Sequence, residues 1–294
     1  MPQSPVPEVE LRRFAAVAAP LLQGAAAYGY GSRAARNRAG RGLEFLDTRR
    51  YEPGDDYRTI DWRQSARTGG LVIRRYQEDT GADWFVCVDR SASIAWGKKK
   101  WPMTISLATA LAYALLHAGH RVALIIWSDR IHSSSELGRG AQHFARLLRM
   151  LVEHRPQRPA VKERARLSSL GACRSLVTRN SNLFVLSDFL EPDGMQRDLQ
   201  DLCSRTASVN AIQTLDASEV RVPARGSLEL QDVESGTRRP TMMTDSTERD
   251  AVATLHAHNE SLQRFCRSMN IRLTACDTDQ QWQKILLRHL QLRS

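Results

Sequence analysis

The chain has 294 residues, 42% of them hydrophobic and 25% charged, close to the average of globular proteins. This composition excludes whole-chain disorder, collagen-like repeats and a disulfide scaffold, and the length admits one large domain or two small ones. Lys plus Arg number 42 against 32 Asp plus Glu, a formal net charge of +10, which favours an acidic partner without choosing among nucleic acid, anionic membrane and acidic protein.

At the start, MPQSPVPEVE lacks the basic region and apolar core of a secretory signal. Apolar residues from Leu11 to Gln23 fall at helical spacing, with Arg12 and Arg13 at the beginning. From Leu11 to Leu43 there are six Arg and no acidic residue. The first forty residues therefore read as an arm, either simply solvated or a docking strip for an acidic partner through Arg33, Arg36, Arg38 and Arg41. Gly29, Gly31 and Ala34 match Gly-x-Gly-x-x-Ala. They follow a helix-like segment, with no acidic ribose ligand in a βαβ setting, so they are rejected as a dinucleotide site. No Gly-x-x-x-x-Gly-Lys-Ser/Thr phosphate loop occurs. Farther on, Pro53-Gly54 signals a turn. Asp55, Asp56 and Asp61 there alternate with Arg58, Arg63 and Arg67, the makings of intramolecular Arg–carboxylate pairs.

From Trp84 the chain alternates regularly. Trp84–Val88 is a short apolar run, Lys98 to Lys100 read as a solvated helix start, and Met103–Ala118 reads as a buried helix. That stretch is shorter than the roughly 20 residues that span a bilayer. Val122–Trp127 is the next strand, and after the Ser128-Asp129 turn Arg130–Glu136 returns as an edge strand. Helical spacing resumes at Ala141–Glu153, and Leu183–Leu186, Val209–Thr214 and Ile271–Ala275 are further buried strands. Helices over Arg249–Met269 and Gln281–Leu292 complete the pattern, interrupted at Ala217–Asp245 by an inserted hairpin with a Ser235-Gly236 turn. The expectation is an α/β fold, a mostly parallel sheet flanked by helices, with an N-terminal extension. The sheet domain spans residues 81–294 and the arm with the following segment spans 1–80. The five cysteines, Cys87, Cys173, Cys203, Cys266 and Cys276, are widely spaced with no C-x-x-C pair. Free thiols in a cytoplasmic setting are expected, with no zinc site.

The first strand runs into Asp89-Arg90-Ser91-Ala92-Ser93, and Leu183–Leu186 ends in Ser187-Asp188. In open α/β sheets ligands bind beyond the carboxyl ends of the strands. Two carboxylates and two hydroxyls are hard oxygen donors that suit Mg²⁺ or Mn²⁺. The competing reading of Asp-x-Ser-x-Ser is a helix N-cap.

Asp89, Ser91, Ser93 and Asp188 resemble the metal-ion-dependent adhesion site of von Willebrand factor A domains, a Rossmann-type fold. The resemblance implies serines on the metal, aspartates acting largely through water, and a partner's carboxylate at the open position. It also implies a middle-loop threonine. Arg166–Ala172 has none, so Ser168 or Ser169 would substitute, or water would take that place. Arg90 beside the site opposes a dication unless it points away.

The run Tyr51–Gly69, with Gly42–Phe45 before it and Val72–Asp79 after it, resembles the signature of the family catalogued as domain of unknown function 58. That family is similar to von Willebrand factor A proteins and is commonly encoded with MoxR-type AAA+ ATPases. The resemblance implies a non-enzymatic adaptor that works with such an ATPase on a client protein. Asp55, Arg58, Asp61, Trp62 and Arg67 then form either a partner-contact surface or a structural clasp. The alternative function is nucleic-acid binding through the excess positive charge, although only 6% of residues are aromatic and no reading motif is evident. No nucleophile motif occurs, and no histidine lies near either strand end in sequence, so catalysis is not expected.

Overall fold

A computed structural model describes residues 4–28, 44–53, 55, 57–77, 81–95, 99–156, 170–190, 194–216, 219, 226–232 and 237–291. The chain divides into two units, one of Met1–Gly29 with Ala82–Ser294 and the other of Tyr30–Gly81.

The larger unit opens with α1 (Glu8–Tyr28) and continues through β3 (Asp83–Asp89), α3 (Ala92–Ala95), α4 (Lys100–His117), β4 (Arg121–Trp127), β5 (Ile131–Ser134) and α5 (Gly140–Glu153). After a 3-10 turn at Leu170–Ser175 come β6 (Asn182–Ser187), α6 (Met195–Arg205), β7 (Ser208–Leu215), β8 (Gly226–Gln231) and β9 (Arg238–Met243). It ends with α7 (Asp245–Ser268), β10 (Arg272–Asp277) and α8 (Trp282–Gln291). Six strands form one sheet in the order β10-β7-β6-β3-β4-β5. All neighbours are parallel except the β4–β5 edge. β3, β4 and β6 are continuous apolar runs because both faces are covered. Alternation along them feeds two cores. Trp84, Val86, Val88, Leu124 and Leu186 face α1, α4, α5 and α8, while Phe85, Cys87, Ile125 and Val185 face α6 and α7. β8 and β9 form an antiparallel hairpin between β7 and α7.

Helix α1 corrects the expectation of an arm. Leu11, Phe14, Ala15, Ala18 and Leu22 are buried in the first core, and the Phe14 ring meets Trp282 edge-on at 5.2 Å. The apolar stripe of α1 covers α4, and burial outweighs the pull of its arginines toward solvent. Arg33, Arg36, Arg38 and Arg41 lie outside the described residues.

In the smaller unit β1 (Glu44–Arg50) pairs antiparallel with β2 (Val72–Gln77), and α2 (Trp62–Thr68) lies between them in sequence. Asp61 caps α2 by accepting the Arg63 and Gln64 N–H groups, and Gly69 ends it at φ +70°. Among the described residues no helix is long and apolar enough to cross a membrane.

Candidate functional site

From β3 the chain crosses to β4 on one side, while β6 lies on the other, so the strand order reverses between β3 and β6. Such a switch point leaves a crevice at the carboxyl ends. The register pairs Val88 with Leu186, which brings Asp89 beside Ser187. Asp89 is buried and fixed at both oxygens, Oδ1 accepting from Ser91 N–H (2.7 Å) and Oδ2 from Ser187 Oγ–H (2.6 Å). Ser91 Oγ and Ser93 Oγ stand 3.0 Å apart. Asp89 thus closes an Asx turn over Ser91 ahead of α3, while both hydroxyls stay together at the strand end.

The turn after β6 is strained. Phe189 has φ +52°, a left-handed conformation that an L-residue with a bulky side chain rarely adopts. Three contacts hold it: Ser187 Oγ accepts Phe189 N–H (3.1 Å), Phe189 O accepts the His258 Nε2 proton (2.6 Å), and Gln213 Nε2 donates to Asp188 O (2.9 Å). His258 comes from α7, so the fold brings to this strand end a histidine that sequence proximity does not. Its observed role is to hold the turn.

Lys100 corrects a second expectation. Of the lysine run, Lys99 is exposed and pairs with Asp279, but Lys100 is fully buried. Its Nζ donates to Asp188 Oδ2 (2.8 Å) and Glu219 Oε1 (2.6 Å), and Glu219 Oε2 accepts from Asp216 N–H (2.9 Å). Burial alone would lower the lysine's pKa, but the charges of Asp188 and Glu219 outweigh it and raise it. Burial, then the nearby charge of Asp188, pushes the Asp89 carboxyl up to about 7, against the bonds from Ser187 and Ser91. Helical spacing contained the signal for Lys100, since Thr104, Leu107, Ala108 and Leu111 follow on the same buried face. Ser187 and Glu219 carried no comparable signal.

Arg90 is directed elsewhere, its Nη2 reaching Arg155 O (3.4 Å). Burial and then the Arg90 charge hold His132 below its ordinary range, and its Nε2 lies 2.6 Å from Ser128 Oγ. Asp89, Ser91, Ser93 and Asp188 form a hard oxygen set of the kind that takes a divalent cation of the Mg²⁺ class, with one Asp188 oxygen paired to the Lys100 ammonium. Among the described residues no three His, Cys, Asp or Glu side chains are arranged to hold a metal. A cation here would therefore rest on two carboxylates and the hydroxyls. Ser168 lies outside the described residues.

In the smaller unit Asp55 pairs through both oxygens with Arg49 (2.7 and 2.9 Å), a partner outside the alternating Asp/Arg block. That pairing lowers the Asp55 pKa. Asp61 is the cap of α2, the Arg58 guanidinium lies 5.7 Å from the Tyr57 ring centre, and Trp62 and Arg67 are exposed.

The model of the family described as "Protein of unknown function DUF58" matches residues 47–261. The uncharacterized proteins Rv1480 of Mycobacterium tuberculosis and Mb1516 of Mycobacterium bovis are each 29% identical to this chain over 257 residues, 86% of this chain and 80% of theirs. Among solved structures, the conserved hypothetical protein BatB from Bacteroides thetaiotaomicron is 13% identical, with a TM-score of 0.43 over 71% of this chain and 97% of that one. An aerotolerance-related membrane protein from Bacteroides fragilis is 14% identical, with a TM-score of 0.42 over 71% and 98%.

Proposed function

The chain belongs to the DUF58 family, and we propose that it is a non-enzymatic adaptor whose strand-end oxygen cluster binds a divalent cation to hold a partner protein's carboxylate. The observation that carries this reading is the meeting of Asp89, Ser91, Ser93 and Asp188 at the switch point between β3 and β6. On this reading the sheet unit is a von Willebrand factor A-like domain. Ser91 and Ser93 would hold the cation directly, with Asp89 and Asp188 behind them, and the bound ion would supply a hard positive charge with an open position. Asp89, clamped by Ser91 and Ser187, keeps the two hydroxyls in place. The partner is a MoxR-type AAA+ ATPase, with a client protein, in the cytoplasm. The resemblance of residues 51–69 supports the ATPase, and the five free cysteines, all among the described residues, support the compartment.

Affinity capture from native lysate tests this, comparing wild type with Asp89→Ala in Mg²⁺ or EDTA. An AAA+ ATPase retained only by wild type in Mg²⁺ is the expected outcome. Retention equal in both proteins and both buffers would overturn the bridge. Nucleic acid retained by both proteins and stripped by salt would favour the basic-surface reading instead.

A further inference from the structure

The least expected group at the strand ends is the Lys100 ammonium. A cation in the first turn of a helix opposes the helix dipole, and α4 has no side-chain cap at Lys99 to offset it. Taking an ammonium out of water is costly unless it is paired. Lys100 is nevertheless fully buried, and the fold supplies Asp188 and Glu219 as its partners at 2.8 and 2.6 Å. The arrangement is anchored at both ends. Lys100 O accepts the Thr104 hydroxyl (2.9 Å), and the second oxygen of Glu219 holds the Asp216 N–H just after β7.

We propose that Lys100 is a built-in counter-ion that holds Asp188 and Glu219 in the metal-free protein and limits how tightly the strand ends take a divalent cation. This rests on the cation-binding reading above. One Asp188 oxygen is already committed to an ammonium, and a fixed positive charge repels a second cation at the same carboxylate. Asp89, Asp188 and Glu219 against one lysine still leave net negative charge when all are ionised, so the lysine moderates the attraction for a cation without cancelling it. Glu219 sits in the connection between β7 and the β8–β9 hairpin, and Lys100 thereby ties that connection to the strand ends. Lys100 is a positioning residue in this scheme.

Isothermal titration of the full chain with MgCl₂ and MnCl₂ tests the proposal, using wild type, Lys100→Met, Glu219→Gln and Asp89→Ala, with thermal melts in EDTA alongside. Lys100→Met should bind about tenfold tighter or more, from removal of one nearby charge, and should melt lower in EDTA. Glu219→Gln should bind more weakly than wild type, because one negative charge is lost and the ammonium then pairs with Asp188 alone. A lysine that only holds the fold would lower the melting temperature without moving the affinity. Equal affinity in wild type, Lys100→Met and Glu219→Gln, with binding weakened in Asp89→Ala, therefore overturns the proposal and leaves the cation-binding reading standing, whereas an unweakened Asp89→Ala overturns both. Binding by Lys100→Met but not by wild type would support the counter-ion role and count against a cation-bridged adaptor. Binding by none of the proteins overturns both. If Lys100→Met does not fold, Glu219→Gln decides, and an unchanged affinity there overturns the proposal.

Discussion

His289 shows how a single side chain couples this fold to pH. Its Nδ1 lies 2.8 Å from the Thr274 hydroxyl, and its Nε2–H points at Asn210 Oδ1 (3.3 Å), whose amide nitrogen is committed to Leu183 O (3.1 Å). Burial, reinforced by Arg272 and Arg288, pushes the His289 pKa down to about 3. The unfolded chain binds a proton near the ordinary histidine value of about 6.5 while the folded one does not, so stability falls as pH drops from about 6.5 toward 3. Urea unfolding at pH 7.5 and pH 5 should show a loss of about 1–2 kcal/mol traceable to this residue. His289→Gln should flatten that difference, and an unchanged pH slope in the variant would show that other groups carry it. Asp61 acts at the same scale. Asp61→Ala should cost about 1 kcal/mol by urea unfolding, with Asp61→Asn recovering most of it, because an asparagine side-chain oxygen can accept the same cap bonds.

Between elements, the approach of α5 to β4 depends on a glycine. A Cβ on Gly138 would stand 2.5 Å from His143 Nδ1, and the His143 ring is fixed because its Nε2–H donates to Val122 O (2.8 Å). Gly138→Ala must displace that ring or the backbone bridge between Val122 and Gly138. The expected cost is about 1–3 kcal/mol in a thermal or urea melt. Adding His143→Ala should make the Gly138→Ala step nearly free, a coupling that a double-mutant cycle measures directly. Additive losses would show that the two residues do not compete for space. The same element-level logic places Lys100, since the helical repeat that buries Leu107 and Leu111 also turns Lys100 inward.

Across the whole sheet unit, α1 is part of the core. Leu22 is fully buried among residues from distant parts of the chain, and Leu22→Ala should lower the stability of the unit by about 2–5 kcal/mol. A solvated arm would give a change within about 0.5 kcal/mol, so one denaturation curve separates the two descriptions.

The alternation of apolar runs and helical repeats from Trp84 onward is legible in the sequence alone, and with it a mostly parallel sheet with Asp89 at the end of one strand and Asp188 just after another. Local periodicity suffices for that, because burial on two faces leaves a continuous apolar run and burial on one leaves a stripe. The hairpin insertion was legible for the same reason, since its short strands break the repeat. The strand order, the covering of α4 by α1 and the burial of Lys100 between Asp188 and Glu219 emerged only on folding. Charge patterning along a chain reports which groups prefer water in isolation. The solvation of an arginine-bearing helix or a lysine run depends on apolar area and opposite charges that arrive from residues scores of positions away, and no local window contains them.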